Sequence, residues 1–295
     1  MVHAIINPIS GAGADPNAAR QRVAMVEAAA AARGIDARIF LTERGGHATE
    51  LARAALDAGC ESVIVWGGDG TANETGSVLM GSNAALGLVP AGSGNGLAAA
   101  LGVSREPAAA LADAFDAPVH RIDAGVMAGR PFFNIAGVGF DARVAALFNQ
   151  RASGSRGAWP YIAIGVREGC RYCAVDYSLT LDATSLRSKA LLVAFANGRE
   201  YGNRIRLAPH ARMDDGKLEA LVVEDRTPLS RLWAGRHLAL GTAHKAPRII
   251  ARSIESARIE GSGEMLYHLD GEIGRTTAPI TVRIVPKALI VRVPA

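Results

Sequence analysis

The sequence predicts an α/β first domain built on a parallel sheet, followed by a β-rich second domain. Short apolar, β-branched segments alternate with helical ones through the first third of the chain. Glycine and proline punctuate them, and after Ile122 the alternation gives way to strands joined by turns. The expected boundaries are 1–122 and 123–282.

Ala4 to Asn7 reads as the first strand. Asp15-Pro16 supplies an N-cap and a first-turn proline for a helix running to Arg33, with Gly34 stopping it. Ile35 to Leu41 is a strand, His47 to Ala58 a helix, and Gly59 its stop. Ser62 to Trp66 is a strand, a glycine-rich turn follows, and a helix is expected from Thr71 to Met80. Ala85 to Val89 is the next strand, ending in Pro90. Such strands fit a sheet covered on both faces. Further strands are expected at Ser178–Leu181, Ala190–Ala196, Leu218–Val223 and Arg258–Glu260, with one or two helices around Val144 to Arg171. Ile280 to Val293 reads as two strands about Pro286.

With 295 residues, 49% of them hydrophobic, the chain can bury a sizeable core. The Met1 end lacks a signal-peptide pattern, and no apolar run approaches the roughly 20 residues that span a bilayer. A cytoplasmic protein is therefore expected. Three cysteines exclude a disulfide framework, and Cys170-Arg-Tyr-Cys173 lacks a second pair for zinc. Net charge is +4, but Asp141 to Arg212 holds eleven Lys/Arg against five Asp/Glu. That stretch is a candidate for anionic lipid headgroups, against the plainer reading of a solvated basic surface. Nucleic acid is not an expected partner.

The chemistry lies at four strand ends, where open α/β sheets place ligands. These are Asn7-Pro8-Ile9-Ser10-Gly11, the exit at Thr42 with Gly45 and Gly46, Gly67-Gly68-Asp69-Gly70-Thr71-Ala72-Asn73-Glu74, and Pro90-Ala91-Gly92-Ser93-Gly94-Asn95-Gly96. Glycines let backbone N–H groups approach phosphate, and the hydroxyls of Ser10, Thr71 and Ser93 add donors. No Walker A sequence occurs. A carboxylate in such a turn, Asp69, calls for a bridging Mg²⁺ or a role as base; alone it would read as an Asx-turn.

These segments resemble the nucleotide-binding signature of the diacylglycerol kinase catalytic family, which includes bacterial lipid kinases and sphingosine and ceramide kinases. The likeness extends through Phe133 to Asp141, Asn197-Gly198 with Tyr201-Gly202, Pro209 with Asp215-Gly216, and Leu269-Asp270-Gly271-Glu272, so it spans essentially the whole chain. It implies a first domain of the phosphofructokinase and NAD kinase type and a sandwich-like second domain, with 283–295 returning to the first. ATP would lie between the domains, contacted by Asn7, Ser10, Thr42, Gly67, Gly68, Asp69, Gly70, Thr71, Asn73, Gly92, Ser93 and Asn95. Asp270 matches the proposed general base, and Glu272 would help hold the catalytic metal. In the sphingosine kinase branch the base is instead the glycine-turn acid, here Asp69, and the choice stays open. Arg212, Asp215 and Lys217 match a structural Mg²⁺ site, for which a plain surface turn is the alternative.

Asp270 also stands on its own residues: two positions apart in an extended segment, it and Glu272 would share a face. Two departures from the family stand out. Ala12 and Gly13 occupy positions where relatives carry Lys or Arg, and the Arg156-Gly157 segment is less Lys-rich. Phosphate charge must then be met by metal, backbone or an arginine such as Arg156. His47, His210 and His268 read as surface or packing histidines.

The resulting expectation is an ATP- and Mg²⁺-dependent kinase of diacylglycerol or a related lipid alcohol. It would act in phospholipid biosynthesis, peripherally at the cytoplasmic membrane surface; a homodimer is left open. The alternatives are a kinase of a soluble alcohol and a non-catalytic nucleotide-responsive lipid-binding module.

Overall fold

The computed structural model describes residues 1–11, 16–149, 168, 172–200, 207–225, 231, 236, 237, 242, 246 and 248–294. The chain divides into two compact units, Met1–Ile122 with Lys287–Ala295, and Asp123–Pro286.

The first unit contains β1 (Val2–Ile6), α1 (Pro16–Ala31), β2 (Ala37–Leu41), α2 (His47–Asp57), β3 (Ser62–Gly67), α3 (Asp69–Leu79), β4 (Ala85–Pro90), α4 (Gly96–Ala100) and α5 (Pro107–Asp116). The strand order is β2-β1-β3-β4, all parallel, with Ile6 paired to both Leu41 and Trp66. Helix α1 packs with α5 and α2 with α3, the grouping that right-handed crossovers turning back at β1 would give. The inner strands β1, β3 and β4 are buried on both faces, Ser62–Gly67 throughout, whereas the edge strand β2 is partly exposed.

Two differences from the sequence reading have clear causes. Helix α3 starts at Asp69 instead of Thr71, because Gly68, with extended backbone, is the N-cap and an acid in the first turn favours the helix dipole. Helix α5 has no counterpart in that reading. Its signal was Pro107 in the first turn, with the Glu106 carboxylate accepting the Ala109 N–H at 2.7 Å.

The second unit is antiparallel and sandwich-like. Strand β5 (Val119–Met127) leads into it, followed by β6 (Arg130–Phe132), β7 (Ile135–Gly139), α6 (Phe140–Asn149), β8 (Val175–Leu181), β9 (Thr184–Ala196) and β10 (Leu218–Glu224). Then come β11 (Ile249–Ile254), β12 (Ser256–Gly261), β13 (Met265–Leu269), β14 (Glu272–Thr276) and β15 (Ile280–Arg292). The early half of β9 pairs with β8, and Leu192–Ala196 lies between β7 and β10. Alternate residues there serve two cores. Val193 and Phe195 join Val138 and Val222, whereas Leu192 and Ala194 join Ile135, Leu221 and Val223.

Residues 280–292 form one strand, not two. Ile280–Arg283 pair with β12 and Ile290–Arg292 with β4. Pro286 falls between those two stretches of pairing, and β5 pairs with the same strand. Among the described residues, no helix is long and apolar enough to cross a membrane.

Candidate nucleotide and phosphoryl-transfer site

In the first unit, the strand order turns back between β1 and β3, the switch point where doubly wound sheets bind ligands. The loops after these two strands are joined: Asn7 Nδ2 donates to Thr71 Oγ1 at 3.1 Å. The first loop is folded onto Asn7, whose Oδ1 accepts the Ile9 N–H at 3.1 Å and whose carbonyl accepts Ser10 Oγ at 2.9 Å. Arg22, from α1, reaches the same loop. Its Nη1 donates to Asn7 O at 2.7 Å and Ser10 Oγ at 3.0 Å, and its Nη2 donates to Ser10 O at 2.8 Å.

The third and fourth loops touch backbone to backbone. A methyl group on Gly92 would lie 2.8 Å from the Gly68 Cα, so the approach requires glycine. Asn95 closes the fourth loop on itself, accepting Gly92 N–H at 2.8 Å and donating to Gly92 O at 2.6 Å. Asp69 faces this loop, with Oδ1 3.4 Å from the Leu97 N–H. Together Gly67, Gly68, Asp69, Asn95 and Leu97 line a small cavity. The second loop is tied in by Glu74, whose carboxylate accepts the N–H groups of Gly46 at 2.9 Å and Ala48 at 3.1 Å. Ser10, Thr42, Thr71, Asn73 and Asn95 are buried, while Asn7, Gly70, Gly92 and Ser93 are partly exposed.

In the second unit, Asp270 and Gly271 form the two-residue turn between β13 and β14, both with left-handed backbone (φ 49° and 91°). The Asp270 carboxylate accepts three backbone N–H groups: Phe133 at 2.8 Å, Asn134 at 2.9 Å and Ile135 at 3.0 Å. It thereby pins the β6–β7 connection. Asn197, fully buried, donates to Phe133 O and Asp123 O, both at 2.8 Å, and Asp123 Oδ2 accepts the Gly216 N–H at 2.7 Å. Four separated motifs thus meet in one hydrogen-bonded network.

Glu272 departs from its expected arrangement. The segment from Asp270 is a tight turn, not an extended run, so the shared-face argument does not apply. Glu272 Oε2 instead accepts from Arg130 Nη2 at 2.6 Å. Sequence reasoning also passed over Arg22, Asp123 and Arg130, whose partners lie at least 12 residues away. It had not paired His268, whose Nε2 lies 3.0 Å from Asp141 Oδ2 in the interior. Beside that pair, burial pushes the phenols of Tyr172 and Tyr177 up, with the Asp141 charge adding to the shift.

The 212–217 segment is a turn supported from within. Lys217 N–H donates to Asp215 Oδ1 at 3.1 Å, and Arg212 pairs with Asp214 at 3.2 Å. Among the described residues, no group of three or more His, Cys, Asp or Glu converges. Mg²⁺ in phosphoryl-transfer sites needs only one or two carboxylates, with phosphate oxygens and water completing its shell. Asp69 beside the glycine loops, and the exposed Asp215, are carboxylates that could serve such a shell. Ala12, Gly13, Arg156-Gly157, Cys170 and Tyr201-Gly202 lie outside the described residues, as does most of the stretch expected to hold one or two helices.

Comparison with known proteins bears on the family and the fold. Residues 1–127 match the diacylglycerol kinase catalytic domain, and residues 134–293 match the YegS C-terminal NAD kinase beta sandwich-like domain. A "Probable lipid kinase YegS-like" protein of Pseudomonas fluorescens is 32% identical over 92% of this chain and 90% of its own length. A "Diacylglycerol kinase" of Mycobacterium tuberculosis is 31% identical over 98% and 93%. A YegS-like relative in Chromohalobacter salexigens is 34% identical over 66% of this chain, spanning 64% of its own length. The crystal structure of a diacylglycerol kinase from Bacillus anthracis, 21% identical, shares the fold with a TM-score of 0.75 over 99% of this chain and 96% of that one. The chain belongs to the diacylglycerol kinase catalytic-domain family of YegS-like lipid kinases.

Proposed function

We propose that this chain transfers the γ-phosphoryl group of ATP to a hydroxyl of diacylglycerol or a related long-chain lipid alcohol. The observation that carries the nucleotide half is the Asn7–Thr71 bond across the β1/β3 switch point, beside the Gly67–Thr71 turn that holds Asp69. ATP phosphates would be met by the backbone N–H groups, hydroxyls and side-chain amides of Asn7, Ser10, Thr42, Thr71, Asn73, Ser93 and Asn95, with Gly67, Gly68, Gly70 and Gly92 allowing close approach. The lipid half is supported by the relatives, which include a probable lipid kinase and a diacylglycerol kinase.

In the transfer, the acceptor oxygen bonds to the γ-phosphorus as the bond to the β–γ bridging oxygen breaks, and ADP leaves. The acceptor's proton passes to a carboxylate, for which Asp270 is proposed, with Asp69 as metal organiser. When bound, Mg²⁺ neutralises phosphate charge. Glu272 is the proposed second acid near that metal, and Asp215 with the Arg212 and Lys217 carbonyls the proposed structural site. Work at a lipid surface implies peripheral membrane contact.

The test is Mg²⁺-dependent transfer from γ-labelled ATP to a panel of lipid alcohols in mixed micelles, with NAD and simple sugars alongside. Label on a lipid supports the proposal, and label confined to a soluble alcohol contradicts it.

A further inference from the structure

The sequence lacks a lysine or arginine at 12 and 13, immediately after Ser10-Gly11. A cation reaches that loop from elsewhere in the chain. Arg22 sits 15 residues beyond Asn7, on α1, and its guanidinium holds Asn7 O, Ser10 Oγ and Ser10 O. Its carbon Cζ lies 5.9 Å from the ring centroid of Trp66, the β3 residue just before the glycine turn.

Two features separate this arginine from an ordinary structural one. All three of its acceptors are neutral oxygens, and among the described residues no carboxylate pairs with it. By contrast, Arg33 on the next turns of the same chain segment is pinned to Asp116. Burial also pulls the Arg22 guanidinium below its usual range, the mark of a charge removed from water without a counter-ion. Three of its five N–H groups are committed to the loop. The Nε–H and the second Nη2 hydrogen make no hydrogen bond among the described residues. That edge is the planar fork that grips phosphate bidentately.

We propose that Arg22 is a phosphate-binding residue, supplying from α1 the positive charge that the β1–α1 loop itself lacks. This rests on the nucleotide reading of the same loops. The anion it would take is a polyphosphate chain at Ser10–Gly11. The three inner bonds hold the loop shape, and the outer fork meets the ligand.

The experiment measures binding of ATP, inorganic tripolyphosphate and adenosine to the wild type, Arg22→Gln and Arg22→Lys by calorimetry. Loss of a charge-assisted fork is expected to weaken ATP and tripolyphosphate about 10- to 100-fold in Arg22→Gln. Adenosine is expected to bind as before, and Arg22→Lys to recover part of the loss because it keeps charge without the fork. In the wild type, the Arg22 Nε–H resonance, assigned by its absence from Arg22→Lys, should shift with tripolyphosphate and not with adenosine. That measurement stands even if Arg22→Gln fails to fold. Unchanged tripolyphosphate affinity in Arg22→Gln, equal weakening of all three ligands, or an unmoved resonance at saturation would overturn the proposal. Wild type that binds neither ATP nor tripolyphosphate would overturn it together with the nucleotide reading. Arg22-dependent ATP binding without phosphate transfer to any lipid would uphold Arg22 and remove the lipid kinase reading alone.

Discussion

Asp270 and Ile135 exchange two hydrogen bonds: the Ile135 N–H donates to Asp270 Oδ1 at 3.0 Å, and the Asp270 N–H donates to Ile135 O at 2.9 Å. With Phe133 and Asn134 on the same carboxylate, the residue proposed as proton acceptor is also the staple of its own loop. Asp270→Ala leaves three N–H groups without their acceptor and is expected to cost about 2–3 kcal/mol, a fall in Tm of several degrees. Thermal unfolding checks it; an unchanged Tm would show that the loop does not depend on this carboxylate.

Gly92 tests the nucleotide loops separately. A Cβ at this position meets Gly68 Cα, a backbone atom, at 2.8 Å, and Asn95 Oδ1, which the Gly92 N–H holds in place, at 2.9 Å. Gly92→Ala is expected to separate the third and fourth loops, at about 1–3 kcal/mol in stability, and to weaken ATP. Calorimetry alongside a melting curve reads both quantities. ATP affinity equal to wild type would mean that the contact is not needed for binding.

The sequence made the first unit easy to read and left much of the second obscure. Parallel strands buried on both faces are short apolar runs, and the turns between them carry glycine, so β1 to β4 and their loops stand out locally. Asp69, Thr71 and Asn95 stand out as candidates for that reason. The bonds that give these residues their geometry are not local. Arg22 lies 15 residues from Asn7, Glu74 lies 28 from Gly46, and Asp141 lies 127 from His268. No period or spacing announces such pairs. The shared face expected of Asp270 and Glu272 does not form, because Asp270-Gly271 takes the left-handed pair that a two-residue hairpin turn demands instead of extended backbone.

His3 is expected to make stability depend on pH. It is buried in β1 against Phe40 of β2, with ring centroids 5.0 Å apart, and neither ring nitrogen has a hydrogen-bond partner among the described residues. Burial holds its pKa below the ordinary 6.5, with the Arg38 charge adding to the effect. The unfolded chain therefore binds the proton more readily. Stability is full above about pH 6.5 and is lost as pH falls from there toward the folded-state value. His3→Leu should flatten the Tm profile between about pH 7 and 5 relative to wild type. Parallel profiles for the two proteins would rule His3 out as the source.

The proposed structural metal at Asp215 predicts stabilisation by Mg²⁺ in the absence of nucleotide. At 100 times the Kd, binding to the folded state alone contributes about 2.7 kcal/mol. The corresponding rise in Tm should vanish in Asp215→Ala, and an equal rise in that variant would place the ion elsewhere.

The most direct test of the central claim follows Asp270→Asn in the lipid assay. Label from γ-labelled ATP is counted on diacylglycerol and other long-chain alcohols in mixed micelles with Mg²⁺. ATP affinity and the folded fraction are measured on the same preparation. Labelling by the wild type, lost in folded Asp270→Asn that still binds ATP, is the predicted result. Undiminished labelling by the variant would contradict Asp270 as the proton acceptor, and a wild type that binds ATP yet labels no lipid would contradict the lipid kinase itself.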